Sequence, residues 1–156
     1  MPKVDQSTAP RARGSDYPGA LKTAFVERLR IRLGDAVGLT TLGVSRTTLP
    51  PGARSSLRHW HEAEDEMVFV LCGEVVLIDD TGETPLHTGE AAGFPAGDAN
   101  PHTIANRSSA PAELLEIGTR PQSDRCHYGD EDLIAVTEGG ATHFTTRAGA
   151  LIEDET

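Results

Sequence analysis

What most restricts the fold of this chain is its punctuation. Each run of apolar and β-branched residues is short, about five residues, and is closed by Gly, Pro, Asn or Asp; no long helical period appears. Over residues 28–33 the sequence RLRIRL alternates strictly. That sets Leu29, Ile31 and Leu33 on one face of a half-buried strand and Arg28, Arg30 and Arg32 on the other, where they are expected to be solvated. The segment GLTTLGVSRTTL, starting at Gly38, has strand composition and stops at Pro50-Pro51-Gly52. MVFVLCGEVVLIDDTGE gives two more strands, broken at Gly73 and at the Asp80-Thr81-Gly82 turn, and AAGFPAG, HTIANRS, AELLEIGT, LIAV and THFTT continue the series. Many short strands with Gly/Pro turns predict an all-β sandwich or barrel with little helix.

With 156 residues, 37% of them hydrophobic and 16 glycines, the chain suits one domain able to bury a core. Residues 1–20 mix Pro, Gly, Arg and small polar side chains without periodicity and read as an N-terminal arm, mobile or laid over another surface. Residues 21–156 read as the single domain, with a hairpin-like extension over residues 120–156. Because a sandwich leaves edge strands to be covered, the arm and tail are expected to pack on the barrel or to pair with a neighbour in a homodimer. A net charge of −10 and a pI near 4.9 argue against nucleic acid or an anionic membrane as partner and leave small molecules, metals or proteins. No apolar run is long enough to span a bilayer, and the first residues lack a secretory apolar region, so a cytoplasmic location is expected. Cys72 and Cys126 have no CxxC spacing and are expected to be reduced thiols.

The stretch LRHWHEAEDEMVFVLCG, from Leu57 to Gly73, carries the chemistry. Alternation aims His59 and His61 the same way, about 6.6–6.8 Å apart along the backbone, and Trp60 the opposite way. Glu66 lies five positions past His61, an odd offset that would turn it away on one continuous strand. The polar residues 62–65 suit a four-residue hairpin loop, which would set Glu66 opposite His61 on the returning strand. His102, where Gly and Pro punctuation delivers the chain into a new strand, is a fourth candidate. Neutral imidazoles and a carboxylate suit one borderline divalent ion such as Zn, Fe, Mn, Ni or Cu.

These residues carry a resemblance. Gly52, His59, His61, Glu66 and Gly73 resemble the first motif of the cupin superfamily, and Gly89, Pro95, Gly97, His102 and Asn106 are similar to its second, in the same order. The likeness covers residues 38–119, the expected barrel core. Six residues rather than five separate Gly52 from His59, and four rather than two separate Gly97 from His102. Both insertions fall in expected loops, leaving the ligands credible and the loop shapes open. The resemblance implies a double-stranded β-helix, or jelly roll, with one divalent metal ion per chain in one mouth of the barrel, held by His59, His61, Glu66 and His102. It is nearest to small single-domain bacterial cupins of mostly unassigned function, some labelled sugar phosphate isomerase.

Other residues are read more plainly. Asn106 shares the face of His102 but lies about 13 Å along the strand, so a structural role is expected. Cys72, about 20 Å from Glu66 along its strand, is expected to pack in the core. Trp60 is expected to be buried against the second sheet or a partner, and His87, His127 and His143 to sit at the surface or in loops. Arg58, Glu64 and Asp65 flank the site without an assigned role. Val68, Val70 and Ile104 suggest a partly apolar pocket with few polar inward residues, suited to a compact ligand. Four ligands leave two positions open on a six-coordinate ion but close a tetrahedral zinc site. The leading reading is a metal-dependent enzyme acting on a small oxygenated substrate, with sugar-phosphate-type isomerisation as its reaction and no residue assigned as general base. The alternatives are an Fe(II)-dependent dioxygenase and a non-catalytic small-ligand-binding protein.

Overall fold

The computed structural model describes residues 3–153. Among these residues, fourteen strands form three antiparallel sheets. The first orders β1 (Arg11–Arg13), β2 (Leu29–Arg32), β3 (Leu42–Leu49), β10 (Ala112–Thr119), β5 (Glu66–Cys72) and β8 (Ala91–Phe94). The second runs β14 (Leu151–Ile152), β13 (Ala141–Thr145), β12 (Ile134–Glu138), β11 (Ser123–Tyr128) and β4 (His59–His61). The third is β7 (Gly82–His87), β6 (Glu74–Asp79) and β9 (Thr103–Ala105). His59 and His102 exchange backbone hydrogen bonds of 3.0 and 2.9 Å, so the two smaller sheets run into one another. The result is the expected all-β jelly roll, in which neighbouring strands come from distant parts of the chain.

Alternation does the sorting of side chains. On β5, Val68 and Val70 are buried while Met67, Phe69 and Leu71 point out. Val68 and Val70 join Leu49, Val75, Leu86, Ile104, Ala112 and Leu114 in one core. A second core gathers Tyr17, Phe25, Cys126, Tyr128, Leu133 and Ala135. Each large side chain so buried contributes roughly 1.5–3 kcal/mol. The second core depends on the chain's beginning: β1 pairs with β2, a 3-10 helix spans Gly19–Phe25, and the Tyr17 hydroxyl accepts a hydrogen bond from the Leu57 N–H at 3.2 Å. Asn106 is fully buried, and its amide donates to the carbonyls of Leu49 and Ala110 at 2.8 Å each, closing the end of β9. No helix among the described residues is long and apolar enough to cross a membrane.

Several expectations are corrected. Residues 62–65 do not form a hairpin loop, because β4 pairs with β11 in the second sheet while β5 lies in the first. The RLRIRL strand stops at Arg32, where a short helix, α1 (Leu33–Ala36), begins. Its arginine face is not simply solvated: Arg28 is only 7% exposed and donates to the carbonyls of Gly14 and Ser55. The face is turned inward, because Arg30 pairs in register with Thr47 and Thr47 with the core residue Leu114. Cys72 is exposed rather than packed in the core.

Candidate metal centre

Strand β4 turns the imidazoles of His59 and His61 to one side, and the backbone bridge to His102 sets a third imidazole beside them. Trp60 faces the other way and stacks on the half-buried His127 across the β4–β11 pairing, with ring centroids 4.4 Å apart. Gly97, at a φ of +80°, sends its N–H to the His61 carbonyl at 2.8 Å and so ties the loop before His102 to β4. Glu66 enters from the opposite sheet at the first residue of β5.

The four side chains meet at one carboxylate oxygen. Glu66 Oε2 lies 3.2 Å from His59 Nε2, 3.2 Å from His102 Nε2 and 3.6 Å from His61 Nε2. Two donors held at about 2.0–2.2 Å by one ion stand roughly 3–3.4 Å apart, so these spacings are at or just beyond those of a shared cation. Although the imidazoles are close, Glu66 Oε2 is buried without a well-directed hydrogen bond among the described residues. Such an orphaned anionic oxygen, facing ring nitrogens, suits a positive ion. Ligand atoms of His59, Glu66 and His102 all lie within 4.8 Å of one another, and His61 shares two further such sets, with His59 and Cys126 and with Glu64 and Asp124.

The rings are also oriented for that task. His59 Nδ1 lies 2.9 Å from the Leu57 carbonyl, which can only accept, and His61 Nδ1 lies 2.5 Å from Asp124 Oδ2. Protons on both Nδ1 atoms leave the Nε2 lone pairs free to face Glu66. His102 Nδ1 is buried without a partner among the described residues, and this ring is fixed instead by stacking on Phe94 at 3.4 Å between centroids. Burial opposes charge on His59, but the negative charge of Glu66 3.2 Å away outweighs it and raises its pKa to about 9. His61 is likewise raised to about 11, burial being overcome by Asp124, Cys126 and Glu66. Burial lowers His102. Glu66 is held well below the usual carboxylate range: burial would raise it, and His102 and His59 prevail. A cation here would take the place of imidazole protons beside a carboxylate that is already ionised.

A cavity of about 850 Å³ opens from this centre. Val68 and Ile104 line it as expected, but Val70 lies in the core, and the walls are far more polar than the motif strand alone suggests. One wall carries Arg30, Arg32 and Glu116, and the other Cys126, Tyr128 and Phe144. Glu64 lies against β10 at Gly118, where any Cβ would collide with its carboxylate; burial raises its pKa to about 7. A smaller hollow of about 230 Å³, bordered by Trp60, Asp79 and Asn100, reaches His61, Glu66 and His102 from another side.

Of the flanking residues, Arg58 is committed to Asp130 and Asp80, and Asp65 accepts from the Ala96 N–H. His87 and His143 are exposed. Reading the sequence missed Asp124, Cys126 and Tyr128, which face the site from β11 because Cys126 pairs with His61 and Tyr128 with His59. Their alternate spacing on one strand was the only local signal.

Comparison with known proteins gives the following. A model described as the Cupin domain matches residues 45–118. A cupin-superfamily sugar phosphate isomerase from Silicibacter pomeroyi has a crystal structure that aligns with a TM-score of 0.93 at 44% identity, covering 97% of each chain. A protein of Acidithiobacillus ferrooxidans, provisionally named for the same activity, aligns with a TM-score of 0.77 at 28% identity, covering 92% of this chain and 91% of that one. The oxalate-binding protein of Thermotoga maritima is 33% identical over 73 residues, which are 47% of this chain and 58% of that protein.

Proposed function

We propose, on the premise that this chain belongs to the cupin superfamily, that it is a metal-dependent enzyme acting on a small oxygenated substrate, with aldose–ketose isomerisation of a sugar phosphate as its reaction. The observation that supports it is the single buried oxygen of Glu66 facing ring nitrogens of His59, His102 and His61 at 3.2, 3.2 and 3.6 Å. A bound divalent ion would supply Lewis acidity, polarising a substrate oxygen. The chain's own residues do the rest. Leu57 and Asp124 hold the first two imidazoles in one tautomer, and Phe94 fixes the third. The 850 Å³ cavity suits a compact substrate. Glu64, lying on Gly118 at the cavity wall and 3.7 Å from His61 Nδ1, is placed to hold and release a proton at its carboxylate. The names of the Silicibacter and Acidithiobacillus proteins point to the same reaction.

A second reading, binding of a small carboxylate without turnover, draws on the Thermotoga protein, whose match covers less than half of this chain. One experiment separates the two. Protein purified without added metal is analysed for metal content, reloaded singly with Fe(II), Mn, Ni or Zn, and assayed for isomerisation of sugar phosphates in deuterated water. Turnover with deuterium entering beside the carbonyl, lost together with the metal in a His59→Ala/His61→Ala double variant, supports the enzyme. A metal-loaded chain that binds these compounds without exchange or interconversion supports the second reading, and a metal-free wild type with an unaffected double variant removes both the ion and the enzyme.

A further inference from the structure

We infer that the β2 face carrying Arg30 and Arg32, joined by Arg120, is a subsite for a terminal oxyanion, phosphate or carboxylate, of the same small substrate whose oxygen-rich end faces His59, His61, Glu66 and His102. The inference rests on the proposed function and deepens it.

Register places these groups on one inward surface. Arg32 pairs with Ser45, Ser45 with Glu116 and Glu116 with Val68, all facing the cavity, and one pleat further Gly43 pairs with Gly118 and Gly118 with Glu66. From β2 to β5 is three strand steps, roughly 14 Å between backbones, a gap that long arginine side chains narrow to the length of a small polyol. The glycine row itself carries no side chain; the Glu64 carboxylate lies over Gly118 and Arg120 over Gly43. A Cβ on Gly43 would come within 3.2 Å of Arg120 Nε, so its absence lets that guanidinium lie across β3, toward Asp35 and the Leu39 carbonyl beside Arg32.

The arginines are held but not used up. Arg30 grips Glu116 Oε2 by Nε and Nη2, each at 3.0 Å, while Thr47 donates to the same oxygen at 2.6 Å; no described residue engages Arg30 Nη1. Arg32 reaches Asp35 only at 3.9 Å, and Arg120 meets the other oxygen of Asp35 at 2.5 Å. Behind them, buried Arg28 bonds only carbonyl oxygens, and no described carboxylate pairs with it. A chain with a net charge of −10 repels anions at a distance. Four guanidinium groups set against the carboxylates of Asp16, Glu116 and Asp35 offset that repulsion locally, and a fork of donors matches an oxyanion better than it matches neutral hydroxyls. The bland reading, that these are structural ion pairs with Glu116 and Asp35, predicts no dependence of ligand binding on them.

Titration calorimetry of the metal-loaded full chain with inorganic phosphate, a sugar monophosphate, the matching sugar acid and the uncharged sugar decides between the two. The subsite requires the uncharged sugar to bind at least about tenfold more weakly than one of its anionic forms, and the ratio of phosphate to acid names the anion. Arg32→Gln and Arg120→Gln, both at partly exposed positions, should each weaken that anion by about tenfold to a hundredfold with metal content unchanged. Arg30→Gln should do the same, and Arg30→Lys should recover part of the loss, keeping charge without the fork. Equal binding of charged and uncharged sugars, or anion affinity untouched by all three glutamine variants, overturns the subsite. A wild type that takes up no divalent ion yet binds phosphate through these arginines would remove the proposed function and leave the subsite standing. One that takes up the ion but binds anions independently of the arginines would remove the subsite alone.

Discussion

The two ends of the cavity hold charge in opposite ways. At the ligand end Glu66 is enclosed by three imidazoles, and its inner oxygen has no well-directed hydrogen bond among the described residues. At the arginine end, buried Arg28 apart, the cations are paired and wetter: the Arg30 and Arg120 side chains are 32% and 40% exposed, against 12%, 13% and 6% for His59, His61 and His102. Buried charges depend on one another for their existence, whereas exposed ones fall back on water. Substitutions at the first end should therefore be costly and cooperative, and at the second modest in stability however much they affect binding.

The largest expected effect tests that contrast directly. In chelator-treated protein, Glu66→Gln strips two buried imidazoles of the carboxylate that stabilises their charge and should destabilise the fold by about 3–5 kcal/mol. Arg30→Gln should cost about 1 kcal/mol or less. Urea unfolding of both variants measures the difference, and equal losses would break the comparison.

Next in size is Asp124→Asn. Asp124 touches no substrate in this scheme and acts by fixing His61 through a 2.5 Å contact, so its loss should weaken metal binding by about tenfold to a hundredfold while the fold persists. Competition with a chromophoric chelator reads this out; a change under about threefold would show that the β4 backbone alone orients the ring.

The pH response should then differ in sign between metal-free and loaded protein. Without metal, the His59 imidazole has a pKa of about 9 in the folded protein, raised by Glu66 from an ordinary 6.5. Its contribution to stability is therefore complete below 6.5 and is lost as pH rises through about 9. With metal, protons must leave before the ion enters, so apparent affinity should gain about tenfold per pH unit for each proton displaced. Melting curves across this interval, with chelator and with saturating metal, should thus show opposite trends. Parallel trends would mean that the ion does not compete with these protons.

How much of this was legible in the sequence follows from which interactions are local. Parity along one strand put His59 and His61 on the same side, and it also grouped Arg28, Arg30 and Arg32. Parity cannot say which side is inward. The apolar side of β2 invited the wrong choice, because Ile31 is covered on the outer face of the sheet while the arginines turn toward the cavity. Glu66 was correctly brought to the histidines by an incorrect route, since a hairpin and an opposing sheet deliver the same residue to the same place. Asp124 and Cys126 were out of reach because they join His61 through a pairing between β4 and β11 that spans more than sixty residues. Nothing in the spacing of one sequence reports such a contact.

The smallest expected effect sharpens where the ligand end lies. Cys126 faces His61 across the β4–β11 pairing, and its sulfur lies within 4.8 Å of ligand atoms of both His59 and His61. A rival ligand set therefore shares two imidazoles with the proposed one and swaps the carboxylate for a thiolate. The two sets demand different ions, because sulfur favours softer metals, whereas imidazoles with a carboxylate suit harder divalent ions as well. The orphaned Oε2 of Glu66 favours the carboxylate, and Cys126 sits among Tyr17, Tyr128 and Ala135 as part of a core. Cys126→Ser should then leave metal content unchanged and shift affinity by less than Asp124→Asn does. Cobalt-loaded wild type should lack a sulfur-to-metal charge-transfer band. A band that disappears in the serine variant would move the ligand end from β5 to β11, away from the glycine row that links it to the arginines, and would uncouple the two ends of the cavity.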